Sequence, residues 1–314
     1  MSAASGRDDA LDEAAGDTFQ TQRRIREALG RAGVRPRRAL GQNFLIDRNL
    51  ARIIVEASMV TPTTIVLEVG TGTGTLAGML AERAARIVSV EIDEKLHAIA
   101  CERLAGRANV RLVRANALRK NALVPEVVGA LREEMEKEPE ATVSLVSNLP
   151  FQIASPLLIA AAESELSFSR ITCTVQREVA ERITAVAGSA AYGLLTVFLQ
   201  VHGRFRLLRV IPPTVFWPRP EVEGAILCGE LTRELRARIS DYAGFKALVQ
   251  DAFAHRRKKL LNSLGARPRH GIDVGRVAAA MDQLGISRDA RAQELPPETF
   301  VDLWNKALSI QGTQ

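Results

Sequence analysis

Two stretches of this sequence combine residue types and spacings that could do chemistry. The first, residues 65–74, reads I-V-L-E-V-G-T-G-T-G, and S-V-E-I-D follows at residues 89–93. An apolar run that meets three alternate glycines describes a buried strand, a tight turn and the start of a helix; a second strand then ends on a carboxylate. At Gly70, Gly72 and Gly74 the backbone can turn sharply with no Cβ between it and a ligand. Glu91, at the end of the second strand, can accept hydrogen bonds from both hydroxyls of a ribose, so a nucleoside is the ligand this pattern suits. Glycine also serves purely structural turns, and the acid in the right order favours the ligand.

The second stretch is Asn148-Leu149-Pro150-Phe151, which closes the apolar run of residues 143–146. In an open α/β sheet, ligands gather at the carboxyl ends of such strands. The Asn148 oxygen and a nearby loop carbonyl can both accept hydrogen bonds from an exocyclic amine on a planar base, drawing its lone pair out of conjugation without any group ionising. Pro150 stiffens the loop, and the Phe151 ring can stack on the base. Taken alone, an ordinary strand-end turn with a core phenylalanine fits these four residues too. The G-x-G-x-G spacing differs from the G-x-G-x-x-G that cradles a pyrophosphate, and it resembles the first motif of S-adenosylmethionine-dependent methyltransferases.

Composition narrows the surroundings of these sites. The 314 residues are 46% hydrophobic, enough for a large domain and a smaller one, and the net charge of +6 favours a polyanionic partner, nucleic acid first. Cys101, Cys173 and Cys228 are odd in number and far apart, without metal-ligand or disulfide spacing, so a reducing compartment and no metal are expected. No apolar run reaches a membrane span and residues 1–10 lack the features of a signal peptide, so a soluble cytoplasmic protein, acting as a monomer, is expected.

The elements that must position the two stretches follow a doubly wound pattern. Residues 1–17 read as a disordered acidic tail. Residues 18–230 read as a Rossmann-like α/β domain that includes an N-terminal basic arm with Arg31, Arg35, Arg37 and Arg38, either a solvated loop or a phosphate-contacting segment. Helices are expected at 49–58, 76–84 and 94–104, strands at 86–92, 110–113, 171–175, 205–210 and 225–227, and an exposed acidic helix within 123–140. The run P-P-T-V-F-W-P-R-P before the last strand excludes regular structure on proline content. Residues 231–314 read as a small all-helical domain, with Arg256, Arg257, Lys258 and Lys259 on a helix over 245–264.

Seven segments, in order, then carry a resemblance that covers most of the chain. They are L-G-Q-N-F-L at 40–45, E-V-G-T-G-T-G-T-L at 68–76, V-E-I-D at 90–93, N-L-P-F at 148–151, Q-R-E-V-A-E-R-I at 176–183, F-W-P-R-P-E-V at 216–222 and H-R-R-K-K-L-L-N-S-L at 255–264. With them the chain resembles the ribosomal RNA adenine dimethylase family, in its small-subunit (16S) branch. The resemblance implies S-adenosylmethionine as donor, and two adjacent adenines near the 3′ end of small-subunit rRNA in an assembling 30S particle as acceptors. It also implies that Asn43 and Leu45 border the methionine part, Gly70 and Gly72 form the turn beside the cofactor, Glu91 holds the ribose and Ile92 packs on the adenine. Asn148, Leu149, Pro150 and Phe151 would form the catalytic segment, with Phe216 and Pro220 on the far wall. Arg37, Arg38 and Arg256 to Lys259 would contact RNA.

The sequence departs from the family pattern in places. Asn116 stands where an aspartate usually accepts from the cofactor's adenine amine, so an acceptor remains but its charge is lost. Phe151 replaces the commoner tyrosine and keeps the ring face. Two rival readings are a large-subunit methyltransferase of the macrolide-resistance type and a nucleic-acid-binding factor that has lost turnover. The basic helical segment argues against the first; intact Glu91, Asn148 and Phe151 argue against the second.

Overall fold

The structure, a computed structural model, describes residues 19–37, 41–266 and 272–310; the acidic tail and Arg38 lie outside the described residues. The strands are β1 (Phe44–Leu45), β2 (Thr64–Val69), β3 (Arg86–Glu91), β4 (Val110–Arg114), β5 (Leu118–Arg119), β6 (Ala122–Leu123), β7 (Thr142–Asn148), β8 (Arg170–Gln176), β9 (Arg204–Ile211), β10 (Phe216–Trp217) and β11 (Gly224–Glu230). Seven of them form one sheet in the order β4-β3-β2-β7-β8-β11-β9. Pairing is parallel from β4 to β8, and only β11 is reversed, antiparallel to both β8 and β9.

The central strands read as nearly continuous apolar runs because both faces are covered. On one face the helices Pro125–Lys137, Ala154–Glu163 and Arg177–Ile183 bury residues such as Val127, Leu157 and Ile183 against Leu67, Leu145 and Leu227. On the other, Arg48–Ala57 and Thr75–Leu80 bury Ile54 and Leu80 against Val66, Val146 and Ile226. Each such side chain contributes about 1.5–3 kcal/mol when fully buried. The Thr75–Leu80 helix is shorter than the expected 76–84, because the Asn109 amide donates to the carbonyls of Ala81 and Ala84 and ends it.

A second core lies among helices Leu194–Gln200, Tyr242–Phe253, Leu260–Ala266, Val274–Gln283 and Pro297–Ser309. Tyr192, Val197 and Phe198, from the stretch between β8 and β9, are part of it, so the helical body draws on residues well before 231. Glu163 fastens this body to the sheet's own helices by accepting from Lys246 Nζ and from the Tyr242 hydroxyl, each at 2.8 Å.

Two expectations are corrected. The proline-rich run is not without regular structure: β10 pairs antiparallel with β1, Phe44 opposite Trp217 and Leu45 opposite Phe216. Its prolines flank the two paired residues and leave their N–H groups free to bond. The expected helix over 245–264 is interrupted, so Arg256 to Lys259 occupy a turn between Phe253 and Leu260. The Leu260 N–H is taken by the Ala290 carbonyl at 2.8 Å in place of an acceptor four residues back.

The sheet opens between β2 and β7, where the chain order reverses. Their paired register ends at Leu67 and Leu145. Beyond it the Ser147 hydroxyl bridges the parting strands, accepting from the Val69 N–H at 3.0 Å and donating to the Val69 carbonyl at 2.6 Å. Ser147→Ala should therefore strand two buried backbone groups and destabilise the protein by about 1–3 kcal/mol, read as a lower midpoint in urea with an unchanged slope.

Candidate active site

A cavity of about 270 Å³ lies where these strands part, at the carboxyl ends of β2, β3 and β7. Its floor is the glycine turn. Gly70 adopts φ +89°, and a Cβ there would lie 3.1 Å from the Pro150 ring; Gly72 adopts φ +57°, and a Cβ would lie 3.2 Å from the Phe44 ring. The Gly70 and Thr71 N–H groups both donate to the Val90 carbonyl, at 2.8 and 3.2 Å, tying the turn to β3.

Glu91, 5% exposed, is held by the Gly72 N–H at 2.8 Å on one oxygen and by the Asp93 N–H at 2.9 Å on the other. Burial raises its pKa above the ordinary 4.5, while the backbone donors of Asp93 and Gly72 act the other way. Next to it Ile92 is 51% exposed although large and apolar, and it lines the cavity, as a surface for a planar ring would. Asn116 lines the same end, exposed, its Oδ1 accepting from the Leu118 N–H at 3.3 Å.

Asn43, Leu45 and Asn148 form the opposite wall. The Asn148 amide donates to the Asn43 carbonyl at 2.9 Å, and its oxygen accepts from the Thr174 hydroxyl. Pro150 lines the cavity, whereas the Leu149 side chain does not and is 2% exposed in the main core. Phe151 is half-buried, its ring edge-on to Phe216 with centroids 6.2 Å apart. Phe216 is itself 2% exposed and belongs to the core, so it backs Phe151; Pro220 is half-buried in the loop after the Trp217–Pro218 bond.

The basic candidates separate. The Arg37 side chain is exposed, 3.9 Å from Asp93, with its N–H on the Gln42 oxygen at 2.7 Å. Arg256 is a structural tie: its guanidinium donates to Gln293 Oε1 at 2.9 Å and to the carbonyls of Ser189 and Ala190. Lys259 pairs with Asp289. Arg257 and Lys258 are exposed on the same turn.

Sequence reasoning passed over two residues here. Glu68 lines the cavity, accepts from the Ser89 hydroxyl, and is pushed by burial up to about 8, so at neutral pH it is held protonated. Its place before the first glycine was a visible signal. Gln42 also lines the cavity, and its buried Nε2 has no hydrogen-bond acceptor among the described residues. An unmet donor, a Cβ-free floor, an anchored carboxylate and an exposed apolar face together fit an adenosyl ligand with a polar tail.

The profile of the family "Ribosomal RNA adenine dimethylase" matches residues 33–308. The chain belongs to that family. The chain is 35% identical over 291 residues to "Ribosomal RNA small subunit methyltransferase A" of Moorella thermoacetica, covering 91% of this chain and 98% of that protein. Over 272 residues it is 40% identical to the protein of the same name from Rubrobacter xylanophilus, covering 87% and 95%. Among solved structures, a dimethyladenosine transferase from Plasmodium falciparum superposes with a TM-score of 0.69 at 19% identity, over 84% of this chain and 98% of that one, a likeness of fold. The 23S rRNA methyltransferase ErmE superposes at 0.62 with 25% identity, over 85% and 100%. The family member described here is an S-adenosylmethionine-dependent rRNA adenine methyltransferase.

A ribose bound to Glu91 needs the ionised carboxylate as acceptor. If Glu91 is that acceptor, cofactor affinity should be full above its raised pKa and fall as pH drops through it, at a pH above the ordinary 4.5. Loss of the charge-assisted bonds should weaken binding by about 10- to 100-fold. Calorimetric titration from about pH 8 to pH 5 reads this; Glu91→Gln should bind weakly throughout and retain only the part of the pH dependence due to Glu68.

Proposed function

We propose that this protein transfers methyl groups to the N6 amines of two adjacent adenines near the 3′ end of small-subunit rRNA, giving N6,N6-dimethyladenosine within an assembling 30S particle. The relatives named for the small subunit support that target, and they match at higher identity and over more of the chain than the large-subunit enzyme does. The observation that carries the catalytic reading is the position of Asn148, on the wall of the same cavity that Glu91 and Gly72 line.

When bound, S-adenosylmethionine supplies an electrophilic methyl group on sulfonium. The residues present do the positioning. Asn148 has its amide committed to Asn43, so its oxygen is the atom left to face an incoming amine; Thr174 uses one lone pair and leaves the other. The carboxamide is thus oriented before the base arrives, and no reorganisation is needed when the amine nitrogen turns tetrahedral. A carbonyl of the same loop supplies the second acceptor. Phe151 offers a ring face to an unstacked adenine, with Phe216 bracing its edge. Glu91 holds the ribose, and Arg257 and Lys258 extend the contact to RNA phosphates from the helical body.

Asn148→Ala removes an interaction completed only on the way to the transition state. The methyl-transfer rate should fall about 100-fold or more, with RNA affinity little changed. The measurement is single-turnover transfer at saturating cofactor on methyl-deficient small subunits; a parent-like rate would remove Asn148 from catalysis. Mass spectrometry of rRNA from cells lacking the gene should show loss of the paired dimethyladenosines.

A further inference from the structure

The outer edge of the sheet carries three arginines that alternation alone would not put together. In a regular strand, Arg204 and Arg206 face one side and Arg209 the other. The register between β11 and β9 shifts once: Glu230 lies opposite Arg204, Cys228 opposite Arg206, Leu227 opposite Leu207, and then Ile226 opposite Arg209. Leu208 is the extra residue of a β-bulge, and the bulge turns Arg209 to the side of the other two. All three are exposed.

This face is the one the site is built on. Directly opposed residues share a face, and the row Arg209, Ile226, Thr174, Asn148 crosses β9, β11, β8 and β7 without a change of side. The Thr174 hydroxyl bonded to Asn148 marks the same side. Three strand spacings put the Arg209 Cα about 14 Å from that of Asn148, and the three arginines run about 14 Å further along the edge. The opposite face of β9 is closed, since Phe205 and Leu207 pack on the core that includes Ala180 and Ile183.

Charge on this face is lopsided. Arg170 on β8 joins the three, and the acid among them, Glu230, is taken by Arg170 at 3.4 Å. Surface arginines held for stability ordinarily face carboxylates, as Arg177 faces Glu181 and Glu223 elsewhere in the molecule. Here the guanidinium groups line an edge leading to the target-base pocket.

We propose that Arg204, Arg206 and Arg209 form a rail for the phosphates of the RNA strand that flanks the adenine presented to Asn148. The inference rests on the rRNA reading above. It names a contact surface distinct from the basic turn of the helical body, reached along the sheet from the base pocket. The partner is a phosphate backbone, and the rail reads no sequence.

The test replaces Arg204, Arg206 and Arg209 together by glutamine, with a second variant carrying lysine at all three. A control with Arg107→Gln, Arg132→Gln and Arg288→Gln removes equal charge from positions paired to acids. Binding to methyl-deficient small subunits is measured as a function of salt. Three lost phosphate contacts should reduce the log–log slope by about 2 to 3, so that between 50 and 200 mM salt the parent loses roughly 16- to 64-fold more affinity than the glutamine variant. The lysine variant should restore the slope, the control should keep it, and cofactor affinity should not move. At saturating RNA the glutamine variant should transfer methyl at the parent rate with a raised KM. An unchanged slope, a lysine variant as shallow as the glutamine one, or a control equally shallow would overturn the rail. Methyl transfer by the parent reads the functional assignment separately: if it failed while the slopes differed, the rail would stand as an RNA contact and the assignment would fall.

Discussion

Gly70 sits close against the ring of Pro150, where a Cβ would lie only 3.1 Å away, and the architecture of the site depends on that contact. It joins the turn after β2 to the loop after β7, the two strands whose ends part at the middle of the sheet. A side chain at Gly70 would meet the proline ring and would also be strained at φ +89°. With the two loops in contact, Glu91 and Asn148 line one cavity. Ser147 performs the complementary task just behind, satisfying both backbone groups of Val69 where the ladder between β2 and β7 has ended.

The N-terminal segment acts as the third wall, through a chain of long-range contacts. β1 pairs with β10, which sets Asn43 beside Asn148 and Phe216 behind Phe151. That side of the cavity is thus assembled from three segments far apart in sequence, around residues 43–45, 148–151 and 216–217. Buried acids complete it: Glu91, anchored by backbone donors on both oxygens, is prepared to accept, whereas Glu68, bonded to Ser89 and deeper in the protein, is kept neutral at physiological pH. Burial pushes both carboxyl groups upward, and on Glu91 the backbone donors oppose it.

The row of residues that begins at the cavity continues across the sheet's outer half. β8 carries Thr174, which orients Asn148, and β11 and β9 carry that row outward to Arg209. The helical body is tied to the sheet's helices through Glu163, Lys246 and Tyr242, and Arg256 anchors its basic turn to the segment after the Arg177–Ile183 helix. All four basic residues of the turn are exposed, with Arg256 bonded to Gln293 and Lys259 paired with Asp289.

Local chemistry was legible in the amino-acid sequence by itself. The alternate glycines of residues 70–74, the acid at the end of the next strand and the run Asn148 to Phe151 depend on neighbours within a few residues, where sterics and periodicity decide the conformation. The doubly wound order of the first strands followed from the same patterns, and the predicted cofactor residues do line one cavity. What only the tertiary structure decided depends on partners far away in sequence. Proline content argued against the strand at Phe216, until Phe44 offered it an edge. The four basic residues at 256–259 looked equivalent, but packing spent Arg256 on two carbonyls and a glutamine. Which way each side chain of Asn148 to Phe151 turns was also decided by packing: Asn148 lines the cavity and the Leu149 side chain is in the core. A single extra residue at Leu208 sent Arg209 to the face of Asn148, and nothing in the local sequence marks which residue of a strand its neighbour will leave unpaired.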